Sequence, residues 1–142
     1  MIFEKKYEER LAIWRSYRET LEEVSDPLQE VINLYNSAPK CSIHTDPWTP
    51  EMWPNPWELL EENQYCEFCK VLGMCYSLQL TDRFSDHDFE IHIGVDTETT
   101  DYRYLLIVDN KVINYDATKH ITVGDLPKTI KSQTVYPMPR LQ

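Results

Sequence analysis

Apolar residues recur at steps of three and four through the first part of the chain. Tyr7, Leu11, Trp14, Tyr17, Leu21 and Val24 form one stripe, with Arg10, Arg15, Arg18, Glu19 and Glu22 filling the other positions, which predicts an amphipathic helix. Asp26-Pro27-Leu28-Gln29 then predicts a second helix start. Asp26 serves as N-cap, Pro27 takes the first helical position where its missing N–H is harmless, and Gln29 closes a capping box. Leu28, Val31, Ile32 and Tyr35 supply the buried stripe, and Ala38-Pro39 stops it. Five prolines and three tryptophans (Trp48, Trp53, Trp57) follow in residues 39–57, a stiff connector with little scope for regular structure. Asn55-Pro56-Trp57-Glu58 repeats the capping logic for a short helix through Leu59, Leu60 and Glu61. Tyr65, Phe68, Cys69, Leu72, Cys75 and Tyr76 are spaced for a deeper helix running to about Leu80, in which Gly73 implies close packing against another helix.

After Phe84-Ser85-Asp86 the period changes from 3.6 to 2. Phe89, Ile91, Ile93 and Val95 alternate with Glu90, His92 and Gly94 as a strand with one apolar face. A polar turn at 97–101 leads to a strand over 102–108, and Asp109-Asn110 turns tightly into a third over 111–115. From Thr122 onward the signals are few: Gly124-Asp125-Leu126-Pro127 reads as a loop and Tyr136-Pro137-Met138-Pro139 as an extended tail. The expected class is α+β, with N-terminal helices packed on a small antiparallel three-stranded meander. One domain over residues 1–142 is expected, helical over 1–80, strand-rich over 88–123 and extended over 134–142.

Charge sharpens this picture. Residues 1–40 carry 6 basic and 8 acidic side chains, residues 41–101 carry 2 and 13, and residues 102–142 carry 6 and 3, so the middle alone is at -11 while the whole chain is at -10. A block of one sign repels phosphate, which argues against direct nucleic-acid binding or an anionic membrane there. An acidic docking face, a mimic of a phosphate backbone and a merely solvated surface are the three readings it admits. No run of about 18 apolar residues occurs and the chain turns charged at Glu4, so neither a membrane span nor a secretory signal is expected, and the location expected is intracellular. Only three glycines are present, at 73, 94 and 124, which excludes a Gly-rich phosphate loop.

Candidate chemistry centres on cysteine. Cys41-x-x-His44 and Cys66-x-x-Cys69 offer four ligands in pairs with the internal spacing of a structural zinc site, but no tight-turn signal accompanies them, and packing thiols are the simpler reading. Cys66 near a helix start, His92 on a strand and Asp116 after another loosely resemble the thiol hydrolases of the transglutaminase-like fold. In a meander, however, the first and third strands lie about 9.5 Å apart, so His92 and Asp116 could not meet unless the strand order differs. Asp86, His87, Asp88, Glu90 and His92 are a third cluster, better read as a polar strand start. No metal and no cofactor is expected.

Asp46-Pro47-Trp48, Trp53-Pro54-Asn55-Pro56-Trp57-Glu58-Leu59-Leu60, Asn63-Gln64-Tyr65-Cys66 and Leu78-Gln79-Leu80-Thr81 together resemble a small group of uncharacterised proteins of contractile-tailed bacteriophages, including cyanophages. The same pattern has a Trp/Arg helix (Trp14, Arg15, Arg18) ahead of Asp26-Pro27-Leu28 and a late strand ending in Asn114-Tyr115. The resemblance implies a viral origin, with host cytoplasm or virion as location, and no catalytic residue. Expected on these grounds is a non-enzymatic module for a phage or host protein partner, acting in particle assembly or host takeover. Trp48, Trp53 and Trp57 would be its anchors, and Glu58, Glu61 and Glu62 its electrostatic selectors. A thiol hydrolase using Cys66 and His92, and an acidic DNA mimic inhibiting a host nucleic-acid-binding protein, are the alternatives.

Overall fold

The computed structural model describes residues 1–42 and 44–141. Four α-helices come first: α1 (Tyr7–Leu21), α2 (Pro27–Tyr35), α3 (Pro56–Glu62) and α4 (Glu67–Gln79). Five strands follow: β1 (Glu90–Asp96), β2 (Tyr102–Val108), β3 (Lys111–Ile113), β4 (Ile121–Thr122) and β5 (Ile130–Pro137). The architecture is α+β, with an antiparallel sheet ordered β4-β3-β2-β1-β5.

The expected three-stranded meander is only the middle of this sheet. β4, at the end of the stretch expected to be strand-rich, extends it beyond β3, and β5, running into the expected tail, returns along the other edge of β1. β4 is too short to carry an alternation, and β5 (Ile-Lys-Ser-Gln-Thr-Val-Tyr-Pro) buries only Ile130 fully, so its ladder to β1 leaves little apolar imprint. Of the expected tail over 134–142, Thr134 to Pro137 belong to β5, and Gln142 lies outside the described residues. β3 stops at Ile113 rather than Tyr115 because Asn114 takes φ 77° and its side-chain amide donates to Tyr104 O at 2.9 Å. The Asp109-Asn110 turn has φ 50° and 62°, the double left-handed geometry that two-residue hairpins need.

Caps form where the residue types allow. Asn55 and Glu58 make both halves of a capping box, at 2.9 and 3.0 Å, while Asp26 accepts from Gln29 N at 3.1 Å. Gln29 does not return the bond; its amide instead donates to Asn33 Oδ1 and to Thr118 O.

α4 is the centre of the molecule. All its residues except Glu67 are buried, because α1, α2 and α3 cover one side and β2 the other. Gly73 is what lets α2 approach: a Cβ there would lie 2.4 Å from Tyr35 Cε1. The helix-facing side of the sheet contributes Ile91, Leu106, Val108 and Ile113 to the main core. The far side carries a smaller cluster of Leu105, Val112 and Ile130, with Ile107, Tyr115, Ile121 and Leu126 against it. Among the described residues no helix is long and apolar enough to cross a membrane.

Candidate functional site

The tryptophan-proline segment behaves as two kinds of residue. Trp53 is bolted down: its indole N–H donates to Asp46 O at 3.1 Å, and its ring packs at 4.9 Å on Phe68 and 5.0 Å on Tyr136. Asp46 steadies the same loop by accepting from Thr49 Oγ1 and Trp48 N, bonds that hold its carboxyl below the usual range. Trp48 and Trp57, by contrast, remain 43% and 46% exposed, and Met52 between them is 72% exposed. Trp48 stands edge-on to the exposed Tyr102, and Trp57 edge-on to the buried Trp14. Of the three, Trp48 and Trp57 thus keep exposed ring faces, whereas Trp53 is packed against Phe68 and Tyr136. The five prolines are the reason: with backbone freedom low, one inserted ring is enough to hold the strip in place.

An apolar groove of about 280 Å³ runs beside this segment, lined by Trp53, Pro54, Tyr76, Tyr136 and Met138. Tyr76 hydroxyl donates to Pro54 O at 2.7 Å across its floor, and Gln79 holds the far wall through Pro139 O at 3.0 Å. Glu51 of this segment and Glu58, Glu61 and Glu62 of α3 are exposed, and among the described residues none of them is in an ion pair. Glu58 is committed to the Asn55 cap, which leaves its second oxygen to solvent. The basic C-terminal block reaches the acidic middle through Arg140 and Asp88 at 3.2 Å.

Cys66 is the N-cap of α4, and its Sγ accepts from Cys69 N at 3.4 Å. The Cys69 thiol bonds to it, and burial opposes its ionisation, but backbone N–H groups of Thr45, Cys69 and Phe68 also point at the sulfur; the balance pulls the Cys66 thiol down. The Cys69 thiol is pushed up, first because it serves as that donor and then by burial, with Thr45 Oγ1 at 3.1 Å opposing.

The hydrolase constellation is not assembled. His92 pairs with Leu105, a member of the far-side cluster, so its ring lies on the sheet face away from α4, bonded to Glu90 at 3.1 Å and Ser132 at 2.9 Å. β2 separates β1 from β3, and Asp116 is turned into its own loop, accepting from Thr118 N and Oγ1 at 2.8 and 2.7 Å. The strand residue whose electrostatics Cys66 alters is Tyr104, which packs its ring on Phe68. The zinc quartet is not assembled either: among the described residues no group of three or more His, Cys, Asp or Glu is placed to hold a metal ion, and His44 is exposed. His87 engages Asp109 at 2.8 Å, apart from His92.

Two features escaped sequence reasoning. Arg10, expected on the polar face of α1, is buried, with Nε donating to Leu60 O at 2.9 Å, Nη2 to Glu61 O at 3.1 Å and Nη1 to Lys5 O. It caps the C-terminal end of α3, where a cation also suits the helix dipole. The second is a cleft of about 650 Å³ where the first turn of α4 faces β2, collecting Lys40, Lys70, Arg103, Tyr102, Tyr104 and Tyr115. Its cations come from three separate stretches, so no local run announces it. The one signal is Lys70, the single cation of the mostly apolar α4, whose ammonium sits 3.5 Å from Asn36 Oδ1 and 3.7 Å from Glu67. No protein-family model and no curated protein matches this chain.

Proposed function

We propose that the protein is a non-enzymatic, phage-encoded interaction module that docks a phage or host protein during particle assembly or host takeover. The observation that carries this reading is the split among the tryptophans: Trp48 and Trp57 stay about half exposed on a proline-stiffened strip that Trp53 clamps to the core. A ring held still at a surface loses little entropy on binding, which is what makes aromatic residues effective anchors. The adjacent apolar groove gives room for a partner side chain, and the exposed carboxylates of Glu51, Glu61 and Glu62, in no ion pair among the described residues, favour a basic partner.

The test is capture from phage-infected host lysate with the immobilised protein, comparing the natural chain with Trp48→Ala/Trp57→Ala. The reading expects at least one saturable protein that the double variant loses while its unfolding stays cooperative. Identical capture by both chains would remove the strip from the interface.

A further inference from the structure

We propose that the cleft between the first turn of α4 and β2 binds a small molecule with one anionic group and one planar ring, of the nucleoside monophosphate class. The inference does not depend on the docking reading. It rests first on Lys70, whose side chain is only 10% exposed, because a buried ammonium needs close partners. The two it has are a neutral amide oxygen of Asn36 at 3.5 Å and a half-exposed carboxylate of Glu67 at 3.7 Å. Both lie beyond an ordinary hydrogen bond, so a group with three N–H donors keeps donating capacity for the cleft it lines.

Two further cations line the same cleft from separate parts of the chain. Lys40 follows α2 and is anchored by its bridge to Tyr65, and Arg103 belongs to β2. Arg103 is already set in place: its Nη2 donates to Tyr115 O at 2.7 Å, and its guanidinium lies 4.6 Å from the centroid of that ring. Among the described residues neither Lys40 nor Arg103 is in an ion pair, so the 3.7 Å contact is the closest counter-charge the three cations have. The walls are braced as well. Asn36 Nδ2 donates to Ala117 O at 2.7 Å and Asn114 Nδ2 to Tyr104 O at 2.9 Å, which holds the loop after β3 against α2 on one side and β2 on the other.

Size and lining define the ligand. A volume of about 650 Å³ far exceeds an inorganic anion and falls among pockets for organic ligands, roughly 300–1,000 Å³. Tyr102, Tyr104 and Tyr115 offer rings against which a planar group can stack. Glu67 and Asp101 line the cleft too; they repel a second anionic group and accept from hydroxyl or amino groups. Cations on three different elements suit a tetrahedral phosphate, whose oxygens face several directions, better than a flat carboxylate that one guanidinium fork satisfies. A nucleoside monophosphate combines the single phosphate, the hydroxyls and the ring.

The full chain is titrated by calorimetry with adenosine monophosphate, adenosine, inorganic phosphate, adenosine triphosphate and benzoate. The monophosphate should bind saturably at one site. Adenosine and inorganic phosphate, each half of the ligand, should bind at least about tenfold more weakly, and the triphosphate no more tightly. Lys70→Met, which keeps the buried stem, and Arg103→Met should each weaken binding roughly tenfold or more, the effect of losing a charge-assisted hydrogen bond, while Trp57→Ala leaves it unchanged. If Lys70→Met folds poorly, Lys40→Met and Arg103→Met, at less buried positions, carry the same expectation. No saturation of the natural chain by about 10 mM monophosphate would overturn the proposal. So would inorganic phosphate or benzoate binding as tightly as the monophosphate, a tighter triphosphate, or binding that survives these cation substitutions unchanged.

Discussion

Replacing Gly73 by alanine should destabilise the protein, although alanine is the better helix former by about 1 kcal/mol. The new Cβ would lie 2.4 Å from Tyr35 Cε1 and 2.8 Å from Cζ, so either the ring or the helix must move. The ring has nowhere to go. Its hydroxyl is held at 2.9 Å by Ser77 Oγ, which also accepts from the Trp14 indole, and its edges meet Phe3 at 5.9 Å and Tyr65 at 5.7 Å. Overpacking of this kind costs roughly 1–3 kcal/mol, and a contact this short belongs at the upper end. Set against the propensity gain, the expected net loss is about 1–2 kcal/mol, or a fall in Tm of roughly 3–8 °C. Urea unfolding followed by circular dichroism measures it. In a Tyr35→Leu background the same substitution should become neutral or mildly stabilising, giving a coupling above about 1 kcal/mol. A Gly73→Ala chain as stable as the natural one would refute the claim that this glycine sets the α2–α4 distance, and with it the position of Cys66 at the head of α4.

Other predictions follow from the same packing. Arg10→Met keeps much of the volume but leaves the last carbonyls of α3 without their donors, and should lower stability by about 2–3 kcal/mol in urea; a change under about 0.5 kcal/mol would mean that water caps α3 equally well. Burial, partly offset by the Ser77 hydrogen bond, pushes the Tyr35 phenol up to about 12, so the folded state holds this proton more tightly than the unfolded chain. Its contribution is complete below about pH 10 and is lost as pH rises towards the folded value, so the urea midpoint should fall across that window and a flat profile would contradict it. Burial opposes ionisation of Asp26, but hydrogen bonds from His120 and Gln29 N–H outweigh it and hold the carboxyl below its usual range. That stabilisation is present above about pH 4 and disappears as pH falls through the folded value, so the stability gap between Asp26→Asn and the natural chain should close in acid.

Helices were legible because their signals are local. The Asp26 and Asn55 caps, the α1 stripe and the tight packing implied by Gly73 can all be read within one or two turns of chain, and each appears in the structure. β5 was not, since a strand that buries one residue is held by its ladder to β1 rather than by an apolar pattern. Arg10 was misplaced for a related reason: its acceptors, Leu60 and Glu61, are about fifty residues away, and nothing beside it in the chain distinguishes a buried cap from a solvated cation. For the candidate sites, sequence could collect Trp48, Trp53 and Trp57 but not tell the packed ring from the exposed ones, because that depends on Phe68 and Tyr136. It placed Cys66 at a helix start, whereas the face on which His92 lies emerged only from the strand register.

The central claim is that residues 46–57 present a docking edge. Hydroxyl-radical footprinting, read by mass spectrometry on the protein alone and in phage-infected lysate, tests it most directly. Alone, Trp48, Met52 and Trp57 should oxidise readily while Trp14 and Trp53 are spared; in lysate, the first three should become protected together. Trp48 and Trp57 oxidising equally in both would contradict the account.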